Sequence, residues 1–131
     1  MDKLNNIMAE MKFEFLAKGT YKTTPEKFLS EINTIFLDIR AKEEIESISL
    51  NLKYHTPVIN IALNELPDRI NEIPKDKKIG LFCSSGTRIA MAYLYLRTAG
   101  YNNVVMISGG LDAIVKELKP GKILKAINNK K

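Results

Sequence analysis

The sequence predicts an α/β fold, a parallel sheet with helices on both of its faces. Three observations carry that expectation. Four short apolar runs, Thr34 to Leu37, Val58 to Ala62, Ile79 to Phe82 and Val104 to Ile107, have the length and composition of buried strands. The segments between them place apolar residues at helical spacing, so strands and helices alternate and right-handed crossovers follow. Asp38 and Cys83 fall directly after two of these strands, at the edge where sites collect in open α/β sheets.

In chain order, Leu4, Ile7, Met8, Met11 and Phe15 are spaced as one face of an amphipathic helix over about 3–16, with Asp2 placed to cap its start. It either packs onto its own domain or serves as a dimer contact or docking surface. Gly19 to Thr23 reads as a turn and a short strand. Thr24-Pro25 opens a helix, a capping hydroxyl followed by proline at the first helical position, with Phe28, Leu29 and Ile32 as its buried face. The Thr34–Leu37 strand follows and ends at Asp38. Ile45 to Tyr54 reads as an extra loop, and His55, the only histidine, as a packed or surface residue near a strand start. After Val58 to Ala62, the segment Leu63 to Ile73 carries Leu66, Ile70 and Ile73 with Pro67 near its start, which predicts a short helix. Ile89 to Ala99 is apolar almost throughout and ends at Gly100, a helix that must be covered by the fold. Leu111, Ile114, Val115 and Leu118 mark a last amphipathic helix, stopped by Pro120-Gly121. The basic tail beyond it is expected to be mobile from Asn128 to Lys131.

The chain is organised around Phe82-Cys83-Ser84-Ser85-Gly86-Thr87-Arg88-Ile89. This stretch holds its only cysteine, where a strand hands over to a helix. Small residues let such a turn curl tightly, and the first amides of the helix have no partner within it. A helix N-terminus and a nearby cation favour the thiolate, the nucleophilic form of cysteine. The amides can also cradle an anion. Arg88, the one charged residue of the loop, is suited to orienting a planar or tetrahedral anion.

Cys83-x-x-Gly86-x-Arg88 between a strand and a helix resembles the active-site loop of rhodanese-like sulfurtransferases. Leu37-Asp38-Ile39-Arg40 with Glu44 resembles the family's Asp-x-Arg and following glutamate. Val58 to Leu63 resembles its next strand and turn. Gly100-Tyr101-Asn102-Asn103-Val104 with Ile107-Ser108-Gly109-Gly110-Leu111 resembles its last strand and glycine pair. These pieces keep the family's order over about Tyr21 to Leu118. His55-Thr56-Pro57 is only a partial match to the family's histidine-proline segment, and Ser84 and Ser85 are plain where some members carry charged or bulky residues.

The resemblance implies a sheet of about five strands with the cysteine loop at its C-terminal edge. It implies a sulfurtransferase in which Cys83 takes a sulfane sulfur from thiosulfate or a persulfide as a covalent persulfide. A thiol, cyanide or a sulfur-acceptor protein then receives it. The amides from Ser84 to Arg88, with Ser84, Ser85, Gly86 and Thr87 lining the loop, would hold the terminal sulfur, and Arg88 the sulfonate end of the donor. Asp38 would brace neighbouring loops and Arg40 would pair with Glu44, as structural support rather than chemistry. A role for Asp38 as an acid, or for His55 at the rim of the site, is the alternative. No metal or organic cofactor is called for.

Other readings of the same loop remain. Cysteine phosphatases and arsenate reductases share thiolate, amide cradle and arginine, but phosphatases of this type have one residue more between cysteine and arginine than the four here, Ser84 to Thr87. A sulfur carrier or protein-binding module of the same fold would keep Cys83 without turnover. A buried, inert thiol is the common fate of a lone cysteine.

A chain of 131 residues with 45% hydrophobic and 27% charged residues fits one domain with a real core rather than two domains or a disordered chain. The division expected is 1–18 as an N-terminal helical extension, 19–120 as the rhodanese-like domain and 121–131 as a basic tail. The net charge of +5 is spread over scattered lysines, so nucleic acid is not an expected partner. One cysteine excludes an internal disulfide and a cysteine-based zinc site. No apolar run approaches the ~20 residues needed to span a bilayer, so a soluble, cytoplasmic protein, monomer or homodimer, is expected, where a lone thiol stays reduced.

Overall fold

The computed structural model describes residues 1–130. Its centre is a five-stranded sheet, all parallel, built from β1 (Lys22–Thr23), β2 (Thr34–Asp38), β3 (Val58–Asn60), β4 (Lys78–Phe82) and β5 (Val104–Ile107) in the order β1-β5-β4-β2-β3. The strands alternate with α1 (Asp2–Glu10), α2 (Phe13–Lys18), α3 (Pro25–Leu29), α4 (Lys42–Ser47), α5 (Leu66–Arg69), α6 (Gly86–Thr98), α7 (Gly110–Val115) and α8 (Pro120–Asn129).

Side chains leave a strand alternately to its two faces, and the core divides accordingly. Ile35, Leu37 and Ile39 join Ile79, Leu81, Ile89, Tyr93 and Leu96 in one layer. Phe36 and Phe82 turn the other way and join Phe28, Leu52, Val105, Ile107 and Ile114. Gly80 lies on this second face for a packing reason. A Cβ there would sit 2.5 Å from Phe28 Cζ and 2.8 Å from Ile107 Cδ1, so the phenyl ring uses the space a side chain would take.

Several expectations are corrected. The single N-terminal helix is two. The chain turns at Met11–Lys12, which lets Met11 and Phe15 both pack on the first core layer, and Phe15 stacks on Tyr21 with centroids 5.0 Å apart. Helix α1 lies on α6, tied by Arg97 Nη2 donating to Glu10 Oε2 at 2.7 Å. Thr24 caps α3 by accepting from the Lys27 amide, but the helix ends at Leu29, and Ile32, expected to be buried, is 71% exposed in the turn that follows.

The segment from Ile45 is not all loop. It begins inside α4, and Leu50 and Leu52 then anchor the irregular stretch in the second core layer. Leu63 to Glu72 is α5 flanked by two 3-10 turns. On α6, Ile89, Ala92, Tyr93 and Leu96 are buried, while Met91 and Tyr95 remain exposed, so the fold covers one face only.

The helical stretch before Pro120 does stop, at Leu118, but the basic tail expected after it is a further helix that Pro120 starts. Proline fits the first helical turn, where its missing N–H is not needed. Ile123, Ala126 and Ile127 then give α8 a face with Ala126 buried, and Lys122 reaches Glu26 at 3.4 Å. Asn128 and Asn129 therefore belong to a helix; Lys131 lies outside the described residues.

Candidate active site

The parallel register fixes the site. Asp38 at the end of β2 lies beside Phe82 at the end of β4, and the Ile39 amide donates to the Phe82 carbonyl at 3.0 Å. The residue after each strand end therefore emerges at the same edge, which places Cys83 next to the Asp38–Arg40 turn. From Cys83 the chain runs through Ser84 and the N-cap Ser85, in extended conformation, into α6 at Gly86. The amides of Gly86, Thr87 and Arg88 head the helix with no partner inside it, and those of Ser84 to Arg88 meet no acceptor among the described residues. Gly86 is open on its Cβ side.

Cys83 is only 1% exposed and packs in the first core layer, whereas Ser84, Gly86 and Thr87 are exposed. The loop thus faces solvent while its thiol faces inward. A serine in its place would bury a hydroxyl, so alanine is the cleaner replacement.

Two ion pairs frame the loop. Asp38 and Arg40 form the first, both 1% exposed. Arg40 donates from Nη2 to Asp38 Oδ2 at 2.8 Å and from Nε to Oδ1 at 3.0 Å, and its backbone amide adds a bond to Oδ1 at 3.1 Å. The guanidinium also lies 5.5 Å from the centroid of the Phe82 ring. Both carboxylate oxygens of Asp38 are thereby held by Arg40 within the fold.

The second pair corrects the sequence reading. Glu44 does not pair with Arg40; it pairs with Arg88. Arg88 Nη1 donates to Glu44 Oε1 at 2.6 Å and Nη2 to Oε2 at 3.0 Å. Ser84 Oγ donates to Oε2 at 3.0 Å, and Arg88 Nη2 also reaches Ser84 Oγ at 3.0 Å. The reason lies in α4. Glu44 is its third residue and accepts the Ala41 amide at 3.0 Å, which folds the carboxylate back over the helix start and toward the cysteine loop. Arg40 is meanwhile satisfied by Asp38 two residues away.

These bonds hold the Glu44 carboxyl at about 2, below its ordinary 4.5, first through Arg88 and then through the Ala41 amide. The Arg88 guanidinium is raised in turn, chiefly by its hydrogen bonds to Glu44, against the opposing cost of burial.

His55 is not at this edge. It precedes β3, so it lies at the N-terminal end of the sheet, 5% exposed, beside Thr34 and Pro57 and under Lys130, whose Nζ donates to its carbonyl. The rim role is overturned by topology. Among the described residues no three His, Cys, Asp or Glu side chains cluster as metal ligands, and no helix is long and apolar enough to cross a membrane.

Comparison with known proteins now bears on this geometry. The family model of the rhodanese-like domain matches residues 24–117. The chain belongs to that family. A sulfurtransferase of Allochromatium vinosum is 31% identical over 81 residues, covering 62% of this chain and 71% of that protein. A tRNA uridine(34) hydroxylase of Pelagibacter ubique is 29% identical over 93 residues, 71% of this chain but 30% of the relative, so this chain spans under a third of that longer protein. Among solved structures, a rhodanese-related protein from Thermoplasma volcanium superposes with a TM-score of 0.62 at 27% identity, covering 76% of this chain and 94% of the other. The parallel five-stranded sheet is the rhodanese fold.

Proposed function

We propose that this rhodanese domain is a sulfurtransferase and that Cys83 carries the sulfur as a persulfide. The observation that carries the reading is the placement of Cys83 at the end of a central strand, followed directly by the unpartnered amides of Ser84 to Arg88 at the head of α6. A sulfurtransferase among its relatives supports the class. The Cys83 thiolate attacks the outer sulfur of the donor. From thiosulfate the sulfur–sulfur bond breaks to release sulfite; from a hydropersulfide it breaks to release a thiolate. The new Cys83 persulfide is then attacked at its outer sulfur by a thiophile (cyanide, a thiol or an acceptor protein), and the Cys83 thiolate leaves. The loop amides would stabilise the charge on the terminal sulfur. Asp38 and Arg40 hold the strand ends in place and take no part in bond changes.

Burial of the thiol favours a second reading, in which the domain delivers its sulfur to one protein acceptor that opens the loop, rather than turning over small molecules. Intact mass of the reduced protein after exposure to a hydropersulfide or thiosulfate tests both. A gain of one sulfur atom, reversed by a phosphine reductant and absent in Cys83→Ala, is the expected outcome. No adduct from either donor would end the proposal. Loading without release to cyanide or small thiols would select the carrier.

A further inference from the structure

The arginine that the sequence assigns to an anionic donor is already engaged. Both terminal nitrogens of Arg88 are spent on Glu44, and Ser84 closes the triangle beside the cysteine. We propose that Glu44 sets the donor choice of this site: by cancelling the Arg88 charge and presenting its own carboxylate at the loop mouth, it favours neutral or singly charged sulfane donors, alkyl hydropersulfides, over dianionic thiosulfate. This rests on the persulfide reading above.

Charge bookkeeping supports the direction. Asp38 and Arg40 neutralise each other beneath the loop, and Glu44 and Arg88 neutralise each other beside it. With the thiolate formed, the loop carries a net negative charge in place of the neutral one that a free Arg88 would give. A dianion approaching it meets repulsion, and the two terminal nitrogens of Arg88 are already bonded to Glu44. The carboxylate stays ionised throughout the ordinary working range, since its partners hold it at about 2. The arrangement is also built rather than incidental: the Ala41 amide at 3.0 Å fixes the carboxylate from the helix side, so it does not swing freely away from Arg88. Cys83, at 1% exposure, directly precedes Ser84, which is bonded to both Glu44 and Arg88. Glu44 is a positioning residue in this scheme, and it touches no reacting atom.

The sole cysteine allows a test that does not depend on sulfur transfer. Rates of Cys83 alkylation by iodoacetamide, which is neutral, and iodoacetate, an anion, are read by intact mass and normalised to their ratio with glutathione. The wild type is expected to disfavour iodoacetate. Glu44→Gln, which keeps the shape and the Ala41 bond, is expected to raise the iodoacetate-to-iodoacetamide ratio about tenfold. Ser84→Ala is expected to speed both reagents alike, because it opens the triangle without changing charge.

In the unmodified protein, added salt is expected to raise the same ratio by screening, a reading that stands even if a variant fails to fold. An unchanged ratio in folded Glu44→Gln, or a wild-type ratio that salt does not move, overturns the proposal. Persulfide loading is measured alongside: Glu44→Gln is expected to gain thiosulfate loading relative to hydropersulfide loading. A shifted alkylation ratio without any persulfide would sink the sulfur-transfer reading and leave the charge gate standing; persulfide formation with an unmoved ratio would do the reverse.

Discussion

The Asp38–Arg40 and Glu44–Arg88 pairs contain the same two chemical groups, sit at the same sheet edge and differ in what surrounds them. The first is 1% exposed on both sides, ringed by strand ends and the Phe82 ring. The second has side chains 30% and 34% exposed and spans two elements, α4 and the head of α6. A buried pair stripped of one partner leaves an uncompensated charge in the core. A half-exposed pair can be broken with water taking the vacated bonds. The first therefore acts on stability, and the second is free to act on what enters the loop.

The largest effect expected follows from that contrast. Asp38→Ala should cost about 3–5 kcal/mol in a urea melt, because it strands the Arg40 guanidinium. A loss under about 1 kcal/mol would mean that water reaches the pair and that the contrast is false. Overpacking the second core layer comes next: Gly80→Ala should cost about 1–3 kcal/mol, since Phe28 and Ile107 must both shift. A melt unchanged from wild type would show that the ring moves freely.

Arg88→Met should sharpen the comparison from the other side. Its stability should stay within about 1 kcal/mol of wild type, while thiosulfate loading falls more than hydropersulfide loading, because Glu44 is then left uncancelled at the mouth. Equal losses for both donors would remove the charge argument.

Titration gives a gentler test. Glu44 has a lowered folded-state pKa, so its contribution is complete above 4.5 and is lost as pH falls toward about 2. His55, at the opposite edge, is held below its ordinary 6.5 first by burial and also by the charge of Lys130, against opposing interactions with Glu117. The stability gained by keeping it neutral is whole above 6.5 and declines as pH falls through its lower folded value. Urea midpoints should therefore drop between pH 7.5 and 5.5 in wild type and flatten in His55→Gln, with Glu44→Gln lowering the curve by a constant amount above pH 4.5 and changing its slope only below that. The smallest effect expected is at Glu10→Gln, which should loosen α1 from α6 by less than about 1 kcal/mol, read as faster amide exchange in α1.

Much of this was legible in the chain because it is local. Each central strand is a run of consecutive apolar residues, and the handover at Cys83 is marked by small residues flanked by a strand and a long helix. The Thr24 cap is likewise a matter of three residues. Breaks without a breaker residue were not legible. Nothing in Met11–Lys12 announces a turn; it arises because two apolar residues reach one core. Pro120 illustrates the same limit, since proline after a helix and proline opening the next look alike until the face of α8 finds something to cover.

The sequence by itself determined the strand–helix alternation, and with it the sheet, its C-terminal edge and the presence of Cys83 there. Only the tertiary structure decided which carboxylate meets which guanidinium. Asp38, Arg40, Glu44 and Arg88 allow more than one pairing along the chain. The choice rests on a register that seats Asp38 against Phe82, on burial that makes Arg40 take the nearest carboxylate, and on a helix start that turns Glu44 back toward the loop. Long-range pairing is settled by geometry and desolvation, and neither is written in the spacing of residues.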